Sequence, residues 1–189
     1  AMPPKGKFSL AVHSGISGKV TSIDNIRMPN GIECPAITIV NDMKMQRVTS
    51  MRHRENMNLD SKDVMGIISN AGICGLGGEG IPTAAKIDRA RRNGVRELLV
   101  NGLQSEPYAT SDLMVMSEYP GYVVMGAGAC ARACGAGKVV FLLSERRKMI
   151  IEVISNAIEN AKADFNDLTF EIRLFRERFP QGYYRMVAK

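Results

Sequence analysis

The sequence predicts an α/β fold: an open, mostly parallel sheet flanked by helices, preceded by a small β module. Three observations predict it. Short apolar runs of the buried-strand kind occur at Glu97–Asn101 (ELLVN) and 138–143 (KVVFLL), and 169–174 (TFEIRL) reads as a third strand. Helical patterns separate them, and strands alternating with helices favour a parallel sheet. Before residue 61 the pattern is different, with β-branched residues, turn signals and no helical period. The chain therefore divides into a β module over 1–60 and an α/β domain over 61–189.

In order along the chain, residues 17–26 (SGKVTSIDNI) read as a strand ending at the turn-like Pro29-Asn30-Gly31. Residues 36–40 (AITIV) read as a second strand, with Asn41-Asp42 as the next turn. Two or three strands are marginal alone, so this module must lean on another part or on further strands. Residues 64–70 read as the end of a helix, with Val64, Ile67 and Ile68 on one side. Residues 84–92 read as a helix closed by Asn93-Gly94. Helices are also expected over 110–118 and 121–134, with Gly135-Ala136-Gly137 breaking the chain. Residues 149–161 form an amphipathic pattern whose apolar stripe is Ile150, Val153, Ile154, Ala157 and Ile158.

Composition narrows the function classes. Of 189 residues, 45% are hydrophobic and 23% charged, as in ordinary soluble domains. No apolar run reaches the roughly 20 residues that span a bilayer. The opening AMPPKGKFSLAV lacks the apolar core of a signal peptide, so a cytoplasmic protein is expected. The net charge of +6 suits anionic partners in general. Nucleic-acid binding would need a concentrated basic face interleaved with aromatics, whereas aromatics make up 6% here and Trp is absent. No nucleic-acid partner is expected. Cys130 and Cys134, four apart, share a helix face, but a metal site needs two more ligands, and the two histidines, His13 and His53, lie far off in sequence. The cysteines read as small buried thiols. There is no C-x-x-C and no iron–sulfur spacing, so neither a metal nor an iron–sulfur cluster is expected in this chain.

The strongest local signal is Gly75-Leu76-Gly77-Gly78-Glu79-Gly80-Ile81-Pro82-Thr83. Glycines permit positive φ and bring backbone N–H groups close to a ligand. Pro82 and Thr83 then open a helix, whose amino terminus attracts phosphate through free N–H groups and the dipole. Lys86, in the first turn, adds a point charge. No G-K-[ST] follows, so this is not a Walker loop, and a helix rather than a strand precedes it, which excludes the dinucleotide fingerprint. A tight connection that needs glycine only for packing is the competing reading. The second signal is Asn101-Gly102-Leu103-Gln104-Ser105-Glu106-Pro107-Tyr108, at the carboxyl end of the ELLVN strand. Ligands of open α/β sheets sit beyond such ends. Asn101 offers an amide and Glu106 a carboxylate; the competing reading is a polar surface loop.

Together the two loops match a family. GLGGEGIPTAAK resembles the GxGGAGFPTxxK loop of the C subunits of Rnf-type electron-transport complexes, and LLVNGLQSEPYATSD resembles their (I/V)NGAECEPYLTxD segment. FPQG at 179–182 resembles their YPQGGEK, and HSGISGKVTSI from His13 resembles the HASVSGxVTxI strand of their amino-terminal barrel-sandwich domain. The flavin-binding subunit of respiratory complex I has a related pair of loops. The resemblance implies a complex I flavin-subunit-like α/β domain behind a partial barrel-sandwich module. It implies an FMN-dependent NADH:acceptor oxidoreductase component, with NADH as substrate and electrons passed to a partner redox centre. Its cofactor-binding residues would be Gly75, Gly77, Gly78, Gly80, Thr83, Lys86, Asn101, Glu106 and Gly182. Its partners would be other redox subunits or further domains of the same complex, with any membrane association made through them.

The chain departs from the family's pattern at several places. The loop alanine is Glu79, the family's Ala-Glu-Cys is Leu103-Gln104-Ser105, and the family's Gly-Glu-Lys after FPQG is Tyr183-Tyr184-Arg185. These changes place a carboxylate in a loop meant for phosphate and remove acidic groups beside the flavin. They support an alternative: a non-catalytic docking module of a larger reductase or electron-transfer complex. A third reading is an anion- or nucleotide-binding protein without redox chemistry. The family's further segments are not represented in this sequence, and a fragment or a reduced homologue is expected.

Overall fold

The computed structural model describes residues 9–48, 60–76, 80–104, 106–176 and 178–187. Strands β1 (Gly18–Arg27) and β2 (Glu33–Asn41) form an antiparallel hairpin. Its turn is the expected one: Gly31 takes φ 83°, and the Met28 N–H donates to the Ile32 carbonyl at 2.8 Å. The second strand begins three residues before the expected 36, because Pro35 is tolerated where, among the described residues, no further strand needs its missing N–H. Both strands keep apolar side chains in solvent, Val20, Ile23 and Val40 among them. The segment leading into the hairpin meets the end of the first helix. His13 Nε2 lies 2.7 Å from the Asn70 carbonyl oxygen. A β-carbon on Gly72 would fall 2.2 Å from the Ala11 carbonyl oxygen, so only glycine fits there.

The remainder is a parallel sheet of three strands in the order β3 (Glu97–Asn101), β4 (Lys138–Ser144), β5 (Thr169–Phe175). Helices α1 (Ser61–Asn70), α2 (Thr83–Arg92), α3 (Ser111–Glu118), α4 (Pro120–Cys134), α5 (Lys148–Ala161) and the single turn α6 (Tyr184–Val187) complete it. The predicted α/β class is what is observed. The helix ends follow local chemistry. The Asp60 side chain caps α1 by accepting the Asp63 N–H at 2.7 Å. Pro120 starts α4, whose last turn closes on Gly135 at φ 79° with the Ala136 N–H reaching the Ala131 carbonyl at 2.9 Å.

Burial explains why β4 is continuously apolar. It is the central strand, and both of its faces are covered. Val139, Phe141 and Leu143 join Val64, Ile68, Ile87, Val124, Ile154 and Ile158 in the main core, in which α4 and α5 meet the sheet and α1 and α2 pack on α4. Burying a side chain such as Phe141 contributes about 1.5–3 kcal/mol. Val140 and Leu142 point the other way and pack with Leu103, against Phe175 and Val187 from the carboxyl-terminal part. The amino-terminal end of this second face is charged. Lys138 Nζ sits 3.3 Å from Glu97 and 2.5 Å from Glu171, and Arg173 reaches Glu171 at 3.0 Å. The Lys138 ammonium, then Arg173, holds the Glu171 carboxyl below the usual carboxylate range.

A brace closes the α4–α5 side. Arg132 donates through Nε to both Asp167 carboxylate oxygens at 3.0 Å and through Nη2 to the Asp164 carbonyl at 2.7 Å. Its guanidinium lies 4.5 Å over the Phe165 ring. That ring packs on Gly128, where a β-carbon would lie 2.5 Å from ring atoms. Gly128→Ala is therefore expected to destabilise the fold by about 1–3 kcal/mol through overpacking, read as a lower urea midpoint at unchanged slope.

The brace also sets an acid limit. The Arg132 hydrogen bond depresses the Asp167 carboxyl, and a depressed folded-state carboxyl adds stability above its unfolded value that fades as pH falls through the folded one. Thermal scans of the wild type and Asp167→Asn should differ at pH 6 and converge as pH drops below about 4.

Candidate functional site

The glycine-rich loop is pinned at its neck. The Gly75 N–H donates to the Ile81 carbonyl at 2.9 Å, the Thr83 N–H donates to the Ile73 carbonyl at 3.0 Å, and Cys74 and Pro82 form an antiparallel bridge. The chain thus leaves and returns through one narrow gate. Gly80 takes φ 61° with open space around its α-carbon, the left-handed conformation that glycine permits at no steric cost. Thr83 is the first residue of α2, and Pro82 precedes it with φ −55°. Lys86 extends back over the neck: a β-carbon on Gly75 would lie 3.2 Å from its ammonium nitrogen. Lys86 is exposed and forms no ion pair among the described residues. The expected positions Gly77 and Gly78, and the departure at Glu79, lie outside the described residues.

A second group gathers at the carboxyl end of β3. The Gly102 N–H continues the ladder to the Leu142 carbonyl at 3.0 Å. Asn101 uses both ends of its amide. Nδ2 donates to the Gly182 carbonyl at 2.7 Å, and Oδ1 accepts the Leu103 N–H at 3.2 Å. The side chain therefore ties the 179–182 segment, 81 positions away, to the strand end. Gly182 is buried, and beside it the Gln181 Oε1 is buried with no hydrogen-bond partner among the described residues. Glu106 is exposed, and its carbonyl accepts the Ala109 N–H at 3.3 Å. Tyr108 is fully exposed at φ 64°, an uncommon backbone conformation for a residue with a side chain. Gln104 is half-buried and Tyr183 is exposed. Ser105 and the Tyr184 side chain lie outside the described residues.

The structure thus brings Gly75, Thr83 and Lys86 together in one group, and Asn101 and Gly182 in another. No hydrogen bond or ion pair joins the two groups among the described residues. Sequence reasoning missed two residues here. Gly102 is required by packing, since a β-carbon would fall 2.7 Å from Leu143 Cδ2 and 3.0 Å from Met116 Sδ. Gln181 reads in the sequence only as part of FPQG, and no local pattern signals a buried amide oxygen. Cys130 and Cys134, one turn apart on α4, are free thiols, the second buried and the first half-buried. Desolvation, then Cys134, pushes the Cys130 thiol up, which favours the inert protonated form.

The profile of the Nuo51 FMN-binding domain matches residues 68–189. The chain is 32% identical over 179 residues to the C subunit of an ion-translocating oxidoreductase complex of Haemophilus influenzae, covering 94% of this chain and 21% of that protein. It is 28% identical over 180 residues to the C subunit of a Na(+)-translocating ferredoxin:NAD(+) oxidoreductase complex of Acetobacterium woodii, covering 95% of this chain and 39% of that protein. An NAD+-reducing NiFe-hydrogenase crystallised in the H2-reduced state superposes with a TM-score of 0.61 at 30% identity, over 66% of this chain and 22% of that one. The chain spans from about a fifth to two fifths of the length of these curated relatives. Among the described residues no helix is long and apolar enough to cross a membrane.

Asn101→Leu removes both amide bonds and leaves the buried Gly182 carbonyl without its donor. A loss of about 1–3 kcal/mol is expected. Hydrogen exchange should rise first in residues 179–187 and leave β4 protected.

Proposed function

This chain belongs to the Nuo51 FMN-binding domain family, and from that premise we propose that it holds FMN and works as the flavin part of an NADH-linked electron-transfer protein. The observation that carries the reading is the Lys86 ammonium lying over Gly75 at the start of α2, unpaired among the described residues. A helix start, a glycine backbone without a β-carbon in the way, and a nearby cation together suit a phosphate. The donor set also fits the rest of the cofactor. The Asn101 Nδ2 keeps a second N–H after serving Gly182, and the Gln181 Oε1, partnerless among the described residues, is an acceptor in want of a donor.

FMN, when bound, supplies the two-electron chemistry that accepts hydride from a nicotinamide or returns it. The chain's own residues supply position and charge. Lys86 and the amides of Gly77, Gly78 and Gly80 neutralise the phosphate beside Gly75, whose own N–H closes the neck on Ile81, and Thr83 adds its hydroxyl at the helix start. Asn101 fixes the 179–182 segment as one wall, with Gly182 at the tie point. Glu106, exposed beyond the end of β3, is the carboxylate acceptor in this proposal. NADH is the proposed substrate. The proposed partners are other redox subunits or domains of one complex, placed at the cytoplasmic side of a membrane through those partners.

One set of observations favours a second reading, a docking module with a degenerate site. Gln104 is neutral where the relatives' motif is acidic, and Tyr183-Tyr184 replaces Gly-Glu. Flavin titration separates the two. The purified protein should quench FMN fluorescence with a dissociation constant of tens of micromolar or tighter. Lys86→Gln should weaken binding about tenfold, the loss of one charge-assisted contact, without changing thermal stability. Absence of quenching in the wild type, with a specific larger assembly still formed, would leave only the docking role.

A further inference from the structure

Away from the glycine loop, a cleft of about 420 Å³ opens between α3 and the start of α5. Its apolar lining is Leu113 and Met114 from α3, with Met149 and Ile150 from α5. Met114 and Met149 are more than half exposed, at 53% and 62%. Methionine side chains of this kind adapt their shape to apolar partners. One rim of the cleft is wholly cationic: Arg146, Arg147 and Lys148 follow one another where β4 hands over to α5. Arg146 and Lys148 are exposed and form no ion pair among the described residues. Among those residues Glu152, one turn beyond Lys148, does not pair with it, and the neighbouring Glu145 faces Arg176 at 3.7 Å.

This arrangement runs against the needs of the helix itself. The amino end of α5 carries the positive pole of the helix dipole and is stabilised by acidic residues. Its first turn has none, and its N-cap, Arg147, makes no side-chain capping bond. Three cations instead reinforce the positive pole. A local rule broken in this way marks a place shaped by something other than folding. The cleft is open rather than enclosed, which suits a segment of chain, and its charge selects an acidic one.

We propose that the α3–α5 cleft seats an acidic amphipathic segment of a partner protein, with an apolar anchor between the two methionines and carboxylates against Arg146 and Lys148. The test uses the whole chain and a fluorescein-labelled synthetic helical peptide with Leu and Phe at i, i+3, i+4 and i+7 and Glu elsewhere. Its comparators are the same peptide with Lys for Glu, and vesicles of equal parts phosphatidylserine and phosphatidylcholine. The Glu peptide should bind, weaken with added salt, and lose about tenfold in affinity with Arg146→Glu/Lys148→Glu and also with the uncharged change Met149→Gln. The Lys peptide should not bind. No binding of the Glu peptide, equal binding of both peptides, or unchanged affinity in the two variants would overturn the proposal. Binding to vesicles in place of the peptide, lost in the charge variant, would assign the patch to a lipid surface and overturn it too.

Discussion

The pinned neck of the glycine-rich loop is the constraint on which the functional account rests. Two backbone hydrogen bonds, Gly75 to Ile81 and Thr83 to Ile73, make the loop's two ends neighbours and fix where α2 begins. Without them Lys86 would be one more solvated side chain on a surface helix. With them its ammonium is carried back to the gate, beside a residue whose lack of a β-carbon leaves room for it. The charge is thereby positioned by backbone bonds and sterics rather than by a partner carboxylate. An ammonium placed in this way is available to an incoming anion, whereas one neutralised by an internal salt bridge is not.

The rest of the α/β unit serves to hold the second group in place. β4 is buried on both faces, and this fixes the plane of the sheet. From that plane the end of β3 projects Asn101, and Gly102 lies tight against Leu143 and Met116. Asn101 then fastens a segment far along the chain through one amide. The wall at 179–182 is thus tied to the sheet through the Asn101 amide, with Phe175 before it and Val187 after it packed on the small cluster of Leu103, Val140 and Leu142. A wall tied in this way can yield locally while the sheet keeps its form.

Much of this was legible in the sequence, for identifiable reasons. β3 falls at Glu97–Asn101 as read, and β4 and β5 run one residue past the expected ends. β4 is buried along its length, as its unbroken apolar run implies, whereas β3, also expected to be buried, is an edge strand that alternates exposed and half-buried residues. The helix ends at Gly94 and Gly135 were readable because only glycine takes those left-handed turns cheaply. The role of Asn101 was readable only in part. Its place at a strand end was evident from sequence, but its bond to residue 182 depends on how two distant segments meet. Gly102 and Gly128 carry no local signal that distinguishes a packing glycine from a turn glycine, because the crowding comes from Leu143, Met116 and Phe165. In the sequence the cleft beside α5 shows only as the basic run Arg146-Arg147-Lys148, since its apolar floor is assembled from two helices.

The most direct test of the central claim is a crystal structure of the whole chain grown with FMN. The account predicts the cofactor's phosphate within hydrogen-bonding distance of Lys86 Nζ and the amides of the glycine-rich loop, with the isoalloxazine toward Asn101 and the 179–182 wall. A flavin bound elsewhere, or a phosphate held without Lys86, would contradict it.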